Sequence, residues 1–155
     1  MSKPFHYPEF DDTGVKILSR AGDAVNDMMM DITIYRMKAG EERTFFLETQ
    51  EMAVLLVLGD LIYQWDGHEQ TGHRESFIGE GPYCLHVPKA VRVTVRANQD
   101  SEVLVQSTAN DRDFAPLFYR PEDCRDDIFG LDVFDNKMKR TVRTVFDYKN
   151  APYSN

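Results

Sequence analysis

Residues 40–59, GEERTFFLETQEMAVLLVLG, run from one glycine to another and end in a stretch of consecutive apolar residues. The stretch continues beyond the second glycine as AVLLVLGDLIYQW, residues 53–65. Its first half is apolar at both odd and even positions, and a strand of that kind must be covered on both faces. Gly59 and Asp60 interrupt the stretch, which predicts a bulge or a bend. We therefore expect a β-strand here whose first half is buried on both sides.

Alternation of polar and apolar residues indicates further strands. In residues 28–37, MMMDITIYRM, Met30, Ile32 and Ile34 fall on one side of an extended chain and their neighbours fall on the other. Three more segments have the character of strands: residues 91–97, VRVTVRA, residues 102–107, EVLVQS, and residues 140–146, RTVRTVF. Turn-forming sequences separate these segments, and long helical periodicity is absent. Many short strands predict an all-β protein with a single antiparallel β-barrel or sandwich.

The chain length suits one domain with its own core, so residues 1–155 are assigned to a single domain. The barrel core is expected over about residues 28–109. Residues 110–129 have the character of an irregular connection, with a short helical turn at residues 121–123, where a proline suits the first turn. A last strand follows, and then the linker-like sequence DYKNAPYSN. We expect residues 110–155 to form a C-terminal extension that folds back onto the barrel.

Charge and composition restrict the possible partners and compartment. The net charge of -8 disfavours nucleic acid and anionic membrane surfaces as partners. The N-terminal sequence has no apolar core of signal-peptide length, and no apolar run approaches the roughly 20 residues that cross a bilayer. We therefore expect a cytoplasmic protein with neither a nucleic-acid nor a membrane partner. In that compartment Cys84 and Cys124 are expected to be reduced thiols.

The histidines do not form a recognisable metal or catalytic motif. His68 and His73 lie in HEQTGH, one residue too far apart for the zinc-protease motif HExxH, which also requires a helix. His86 stands alone in a predicted strand, and His6 stands alone near the N-terminus. Sequences of the Ser-His-Asp, phosphate-loop and dinucleotide-binding types are also absent.

The two glycines that frame residues 40–59 match the spacing of the first conserved motif of the cupin superfamily. That motif runs Gly, five residues, His, one residue, His, three or four residues, Glu, six residues, Gly. Counted from Gly40, the histidine positions hold Phe46 and Glu48, the glutamate position holds Met52, and the closing glycine is Gly59. The sequence therefore resembles a cupin that keeps the backbone frame of the motif and lacks its ligands.

The second cupin motif, Pro-x-Gly-x-x-His, resembles PKAVRV, with Pro88 at the proline and Val93 at the histidine position. A divalent metal needs several oxygen, nitrogen or sulfur donors that converge on one point. Of the four ligand positions, only Glu48 carries such a donor. We therefore predict no metal ligand and no catalytic residue in this chain. Phe46, Met52 and Val93 are expected to line and fill the barrel as core residues, and Glu48 to bind a polar ligand or lie solvated at the rim.

Two longer segments resemble the 5-deoxy-glucuronate isomerase family of inositol catabolism. Residues 71–109, TGHRESFIGEGPYCLHVPKAVRVTVRANQDSEVLVQSTA, are similar to that family's Gly/His-Arg-x-Ser-x-Phe segment, Gly-Pro turn and valine-rich strand. Residues 140–155, RTVRTVFDYKNAPYSN, are similar to the passage between the two cupin halves of that family. The resemblance covers most of the chain from about residue 35 onward.

The resemblance implies the N-terminal half of a two-cupin enzyme of carbohydrate metabolism. Members of the family are nearly twice this length and convert 5-deoxy-glucuronate to a 2-deoxy-5-keto-gluconate, an aldose–ketose isomerisation. Their metal ligands lie in the second cupin. The resemblance therefore implies that this chain has no cofactor and no activity alone. It also implies a partner, the second cupin half, which would hold a divalent metal, zinc. Edge strands of the barrel would also permit a homo-oligomer.

Two other interpretations remain open. A stand-alone, metal-free cupin could bind a small polar ligand, or regulate through one, in a pocket of Phe46, Glu48, Met52 and Val93 with Tyr63 or Trp65 nearby. An independent enzyme that uses some other metal-free chemistry is the third possibility. A binding module would be complete at this length, whereas an enzyme half would have more coding sequence downstream.

Overall fold

The computed structural model describes residues 8–24 and 27–155. Within these residues the chain forms eleven strands and one 3-10 helix, Pro121–Asp123. The strands are β1 (Val15–Ser19), β2 (Asp31–Met37), β3 (Glu42–Phe45), β4 (Gln50–Trp65), β5 (His68–Arg74), β6 (Cys84–Val87), β7 (Val93–Ala97), β8 (Ser101–Ala109), β9 (Leu117–Tyr119), β10 (Arg125–Phe129) and β11 (Arg140–Thr144). In this part of the chain, no helix has the length and apolar character that crossing a membrane requires.

Strand β4 belongs to two sheets because its 16 residues bend midway. Its first half lies between β8 and β6 in the first sheet, whose order is β1-β2-β8-β4-β6-β9. Its second half lies between β5 and β7, and β3 pairs with β7 to complete the second sheet. Neighbouring strands are antiparallel in both sheets. The predicted all-β, antiparallel fold of the cupin-like jelly-roll type, with a C-terminal extension, is confirmed.

The bend in β4 is at the glycine where the sequence predicts an interruption. The pairing of β4 with β8 shifts register between Leu56 and Leu58. Gly59 has φ +116, a conformation that residues with a side chain rarely adopt. A Cβ atom at this position would overlap Ser101 of β8. Glycine is therefore needed here for two reasons, and it allows the strand to pass from one sheet to the other.

Apolar side chains fill the space between the two sheets. Alternate residues of β7, Val93, Val95 and Ala97, are at most 1% exposed, as their alternation predicts. The inner residues of β4 include Met52 at 2% exposure and Val54 at 0%. Burial of an aliphatic side chain of this size contributes about 1.5–3 kcal/mol of transfer free energy. This interior layer is the main hydrophobic core of the described chain.

The side of β2 that faces the core is not its more apolar side. Its inward positions include Thr33, at 3% exposure, and Met37, at 1% exposure. The more apolar side, with Ile32 and Ile34, lies on the outer face of the first sheet and is only partly buried. The alternation therefore predicts the strand correctly, while the outer face of this sheet carries more apolar surface than a solvated sheet face needs.

The C-terminal extension contains more regular structure than its sequence suggests. β9 joins β6 at the edge of the first sheet, and β10 and β11 form a separate two-stranded sheet. The irregular connection predicted for residues 110–129 is therefore wrong over β9 and β10, although the helical turn at Pro121–Asp123 is confirmed. β9 has three residues and β10 begins with three charged ones, RDD, so neither shows the apolar alternation of a barrel strand.

Residues that follow β11 return to the outer face of the first sheet. Val145 and Phe146 pack against a small second core of Ala53, Cys84 and Tyr119. Glu51 and Ala53, on the outer side of β4, are 5% exposed each. β4 is thus covered on both faces at Glu51 and Ala53, as its uninterrupted apolar sequence predicts, whereas Leu55 on the same outer side is only partly buried.

Candidate functional site

Gly40 and Pro88 of the cupin motifs lie in turns between strands, and the closing Gly59 lies at the bend within β4. Gly40 has φ +82, and its backbone N–H donates to the carbonyl oxygen of Ala97 at 2.8 Å. Pro88 is buried directly after β6, and the N–H of Ala90 in the same turn donates to the carbonyl of Leu47 at 2.7 Å. The first bond joins the Gly40 turn to β7, and the second joins the turn after Pro88 to the loop between β3 and β4, so the backbone frame of the motifs is present.

The ligand positions of the motifs do not lie together. Met52 and Val93 are 2% and 0% exposed and belong to the same hydrophobic core. Phe46 is 42% exposed, and the Arg92 guanidinium lies 4.9 Å from the centre of its ring. Glu48 is also exposed. The prediction that Phe46 is a core residue that lines the barrel is therefore wrong, and Glu48 lies outside the barrel as well.

A shift of one residue explains the wrong prediction. Along residues 41–48 the odd positions are partly buried and the even positions are exposed. Phe45 and Leu47 pack against the core, and the Phe45 ring lies 5.2 Å from that of Tyr35. A strand places successive side chains on opposite faces. The motif spacing, counted from Gly40, therefore reaches Phe46 and Glu48, whose side chains point outward. The inward residues nearest to the histidine positions are thus Phe45 and Leu47.

The side chains at these inward positions do not fit a divalent metal. Phe45, Leu47, Met52 and Val93 provide no oxygen or nitrogen donor, and a thioether is a poor ligand for zinc, manganese or iron(II). Among residues 8–24 and 27–155, no group of three His, Cys, Asp or Glu side chains could hold a metal ion. No chemical step can therefore be derived through a metal in this barrel.

The alternative ligand pocket is not formed by its predicted residues either. Tyr63 and Trp65 are 0% and 8% exposed and pack in the same core as Met52 and Val93. The Tyr63 hydroxyl donates a long hydrogen bond to the carbonyl oxygen of Tyr83, 3.4 Å away. Phe46 and Glu48 lie on the outside of the barrel. The residues of the alternative pocket therefore do not surround a common space: Phe46, Glu48, Met52, Tyr63, Trp65 and Val93.

The structure instead brings polar residues together on the outer face of the first sheet. Glu51 of β4 is 5% exposed. Its Oε2 accepts a hydrogen bond from Asn110 Nδ2 at 2.6 Å, and its Oε1 accepts bonds from Ser154 Oγ at 2.8 Å and from the backbone N–H of Asn155 at 3.0 Å. Asn110 Nδ2 also donates to the carbonyl oxygen of Tyr153 at 2.7 Å. We call Glu51, His86, Asn110, Ser154 and Asn155 the Glu51 cluster.

His86 is the histidine of this cluster, and it is 1% exposed. Its ring stacks on Phe146 at 4.3 Å with an interplanar angle of 2°, and Phe114 lies 4.7 Å away. His86 Nε2 lies 3.6 Å from Glu51 Oε2, beyond hydrogen-bond length. Burial lowers the pKa of His86, and the nearby Glu51 carboxylate opposes that shift only in part. The imidazole is therefore a neutral, packed ring near pH 7.

The Glu51 cluster anchors the end of the chain and lacks the features of a catalytic site. Both oxygens of Glu51 already accept hydrogen bonds from the protein. The nearest thiol, Cys84, is buried and its pKa is raised by desolvation, which makes it a poor nucleophile. Burial also raises the pKa of Cys124. What the arrangement can do is fix residues 153–155 against β4 and β8.

His68 and His73 lie near opposite ends of β5, and His6 falls outside the described residues. His68 stacks on Trp65 at one end of β5, with 5.6 Å between ring centres. His73, at the other end, contacts Asp60 at 3.1 Å and Glu75 at 3.4 Å, and the hydrogen bond with Asp60 is the main reason its pKa is raised. Both are surface residues.

Sequence reasoning did not identify Glu51. The available signal was a carboxylate beside a strand predicted to be covered on both faces, because such a carboxylate must find partners when it is buried. Its partners could not be identified in the same way. Asn110 is 59 residues away and Ser154 is 103 residues away along the chain.

Three solved structures of low sequence identity superpose on parts of this chain. An IolB-like protein from Salmonella typhimurium LT2 superposes with a TM-score of 0.71 and 20% identity, over 78% of this chain and 46% of that chain. An RmlC-like cupin from Desulfovibrio desulfuricans has a TM-score of 0.48 and 20% identity over 64% of this chain and 87% of that one. KdgF from Halomonas sp. has a TM-score of 0.49 and 12% identity over 68% and 89%.

Sequence comparison places the chain more narrowly. No curated protein sequence gives a significant match. The chain spans about half the length of the IolB-like protein, 46% of it. The sequence model of the KduI/IolB family matches residues 6–155, nearly the whole chain. The chain therefore belongs to the KduI/IolB family.

Proposed function

We propose that this chain is the N-terminal, metal-free structural half of a two-cupin isomerase. The proposed reaction of the whole enzyme is the conversion of 5-deoxy-glucuronate to 2-deoxy-5-keto-gluconate in the cytoplasmic catabolism of myo-inositol. The second cupin half is the proposed partner of this chain, and it would carry the divalent metal, zinc. A homo-oligomer of the complete enzyme is part of the same proposal.

The interior of the barrel is the observation that carries this proposal. Met52 and Val93 occupy ligand positions of the cupin motifs and are completely packed in a hydrophobic core. Phe45 and Leu47, the inward residues of the first motif, pack against that core. Buried apolar side chains stabilise a fold and offer a substrate no polar group to bind. A barrel of this kind is suited to support a neighbouring domain.

The chemistry of the proposed reaction points to the same division of labour. An aldose–ketose isomerase moves a proton between adjacent carbons and must stabilise the negative charge that develops on the enediolate oxygen. It therefore needs a base and an electrophile that converge on one substrate, and a metal ion is a suitable electrophile. The buried carboxylate of Glu51 already accepts hydrogen bonds from the protein. The buried imidazole of His86 packs against Phe114 and Phe146. Glu51 is 5% exposed and His86 is 1% exposed.

An activity assay on defined pieces tests the proposal. Residues 1–155 should give no conversion of 5-deoxy-glucuronate, followed by NMR of the sugar acid. The complete gene product, with its second cupin, should give conversion that a chelator abolishes and added zinc restores. Conversion by residues 1–155 alone would overturn the proposal, and so would a gene that ends after codon 155 with no separate second cupin beside it.

A further inference from the structure

The outer face of the first sheet carries two rows of mostly apolar side chains that cross the strands. These residues alternate with core residues such as Val54 and Val105 and therefore point away from the barrel interior. The first row follows the pairing Ile34–Leu104–Leu55–Cys84–Tyr119, and the second follows Ile32–Gln106–Ala53–His86–Leu117. A sheet face exposed to water is expected to carry mainly polar side chains. This composition indicates a face that is covered by another layer.

Residues 8–24 and 27–155 cover only one half of this face. Ala53, Cys84 and Tyr119 are buried beneath Val145 and Phe146. The other half remains partly exposed and consists of Ile32, Ile34, Leu55, Leu104 and Gln106, which we call the open floor. A groove of about 330 Å³ lies between the covering segment and the open floor, lined by both. The covering layer thus stops midway across the sheet.

A charged pair marks one border of the open floor. Arg36 Nε donates to Glu102 Oε1 at 2.8 Å in the next row of the same face. An apolar centre with a charged rim is the usual arrangement of a protein–protein interface. Contiguous apolar surface of this kind on a soluble protein indicates an interaction site.

The last described residue lies on this same face. The backbone N–H of Asn155 is bonded to Glu51, and Asn155 Nδ2 donates to the carbonyl oxygen of Ala109 at 2.7 Å. Both partners belong to β4 and β8, the strands that also provide Leu55 and Leu104. The similar IolB-like protein is about 1.7 times as long, because the superposition covers 78% of this chain and 46% of that one. In a chain of that length, the polypeptide beyond position 155 would start beside the open floor.

We propose that the open floor is the docking surface for the second cupin half, and that the Glu51 cluster sets the position from which that half departs. This inference rests on the proposed function. A barrel that docks there would cover Ile34, Leu55 and Leu104 and would complete the layer begun by Val145 and Phe146. The tie between Glu51 and Asn155 makes the linker short, which raises the effective concentration of the second half at this surface.

The test uses the complete gene product with Ile34→Lys or Leu104→Lys. Ile62→Lys is the matched control, because Ile62 is also partly exposed and points outward from β4, but it lies on the second sheet between Thr71 and Arg96. An unpaired lysine in a buried interface should shift the equilibrium between docked and separated halves by at least about tenfold. We expect the two floor variants to split a single calorimetric unfolding transition into two, and to speed proteolysis within residues 145–155 by at least that factor. The control should do neither.

The same substitutions in residues 1–155 separate a docking effect from a folding defect. Each lysine should change the stability of the isolated half by a similar small amount, since all three positions are partly exposed there. Floor variants that behave like Ile62→Lys in the complete protein would overturn the docking surface. Floor variants that dissociate a dimer and leave the halves coupled would overturn it in favour of a second copy of the chain. If the complete gene product has no second cupin, the proposed function itself would be wrong, which is a separate outcome from a failure of the docking surface.

Discussion

Replacement of Glu51 by alanine should destabilise this chain far more than the same replacement of Glu48. The two glutamates are three positions apart, and the sequence motif singles out Glu48. The structure leaves Glu48 exposed and makes Glu51 the acceptor of three hydrogen bonds from residues more than 50 positions away. The pair therefore compares the sequence-based site with the structural one in the same strand region.

The expected cost follows from the individual bonds. The bond from Asn110 is buried and involves a charged acceptor, which makes it worth about 1.5–3 kcal/mol. The bonds from Ser154 and Asn155 are nearer to solvent, so each should contribute about 0.5–1.5 kcal/mol. We expect Glu51→Ala to lower the free energy of unfolding by about 2.5–6 kcal/mol in total. Glu48→Ala should change it by less than about 0.5 kcal/mol, as exposed substitutions do.

Urea denaturation followed by tryptophan fluorescence is a suitable assay, because Trp65 lies in the barrel core and reports global unfolding. Glu51→Gln should fall between wild type and Glu51→Ala, since an amide can still accept one of the bonds. The free energies of unfolding of Glu51→Ala and Glu48→Ala could differ by less than about 0.5 kcal/mol, which is roughly the error of such experiments. Glu51 would then have no anchoring role. The inference that this residue holds the C-terminal segment would then be wrong.

Three further predictions concern the strand register, pH and the bend in β4. Phe45→Ala should cost about 2–4 kcal/mol and Phe46→Ala less than about 1 kcal/mol in the same denaturation assay, because Phe45 packs on the core and Phe46 is 42% exposed; equal costs would contradict the register. Burial lowers the pKa of His86 in the folded state, so the unfolded chain takes up that proton first as the pH falls. The contribution of neutral His86 to the free energy of unfolding should be complete above the ordinary histidine pKa and should be lost progressively below it. If a His86→Phe variant loses as much stability as the wild type between pH 7 and pH 5, His86 is not the source of that loss. Gly59→Ala should cost about 2–4 kcal/mol, because it combines backbone strain with overlap onto β8, whereas Gly67→Ala, with a positive φ and open space, should cost about 1 kcal/mol; thermal unfolding of the two variants compares them directly.

Local patterns were sufficient to predict strands β2, β4, β7 and β8, whereas β1, β3 and β9 were not predicted. The alternation around Val93 and Val95 gives both the strand and its buried side, because the side-chain period of a strand is fixed by geometry. The uninterrupted apolar run before Gly59 gives a strand that is buried on both faces over residues 51–54. These signals depend only on neighbouring residues, and the sequence contains them completely.

The site residues were less predictable because motif spacing and strand register carry different information. Counting from Gly40 leads to Phe46, although the alternation of Arg43, Phe45 and Leu47 already marks the other side as inward. A loop one residue shorter than the motif assumes is enough to reverse every side chain that follows. The Glu51 cluster depends on long-range contacts between β4 and the last residues, and no local pattern specifies them.

The metal content of residues 1–155 is the most direct test of the claim that this barrel is a structural half. The chain would be expressed without an affinity tag, purified without chelator, and analysed for zinc, iron and manganese by inductively coupled plasma mass spectrometry. The apolar side chains at Phe45, Leu47, Met52 and Val93 predict metal far below one equivalent per chain. A stoichiometric amount of any of these metals that survives dialysis would contradict the account, since it would require a donor set that the described barrel does not provide.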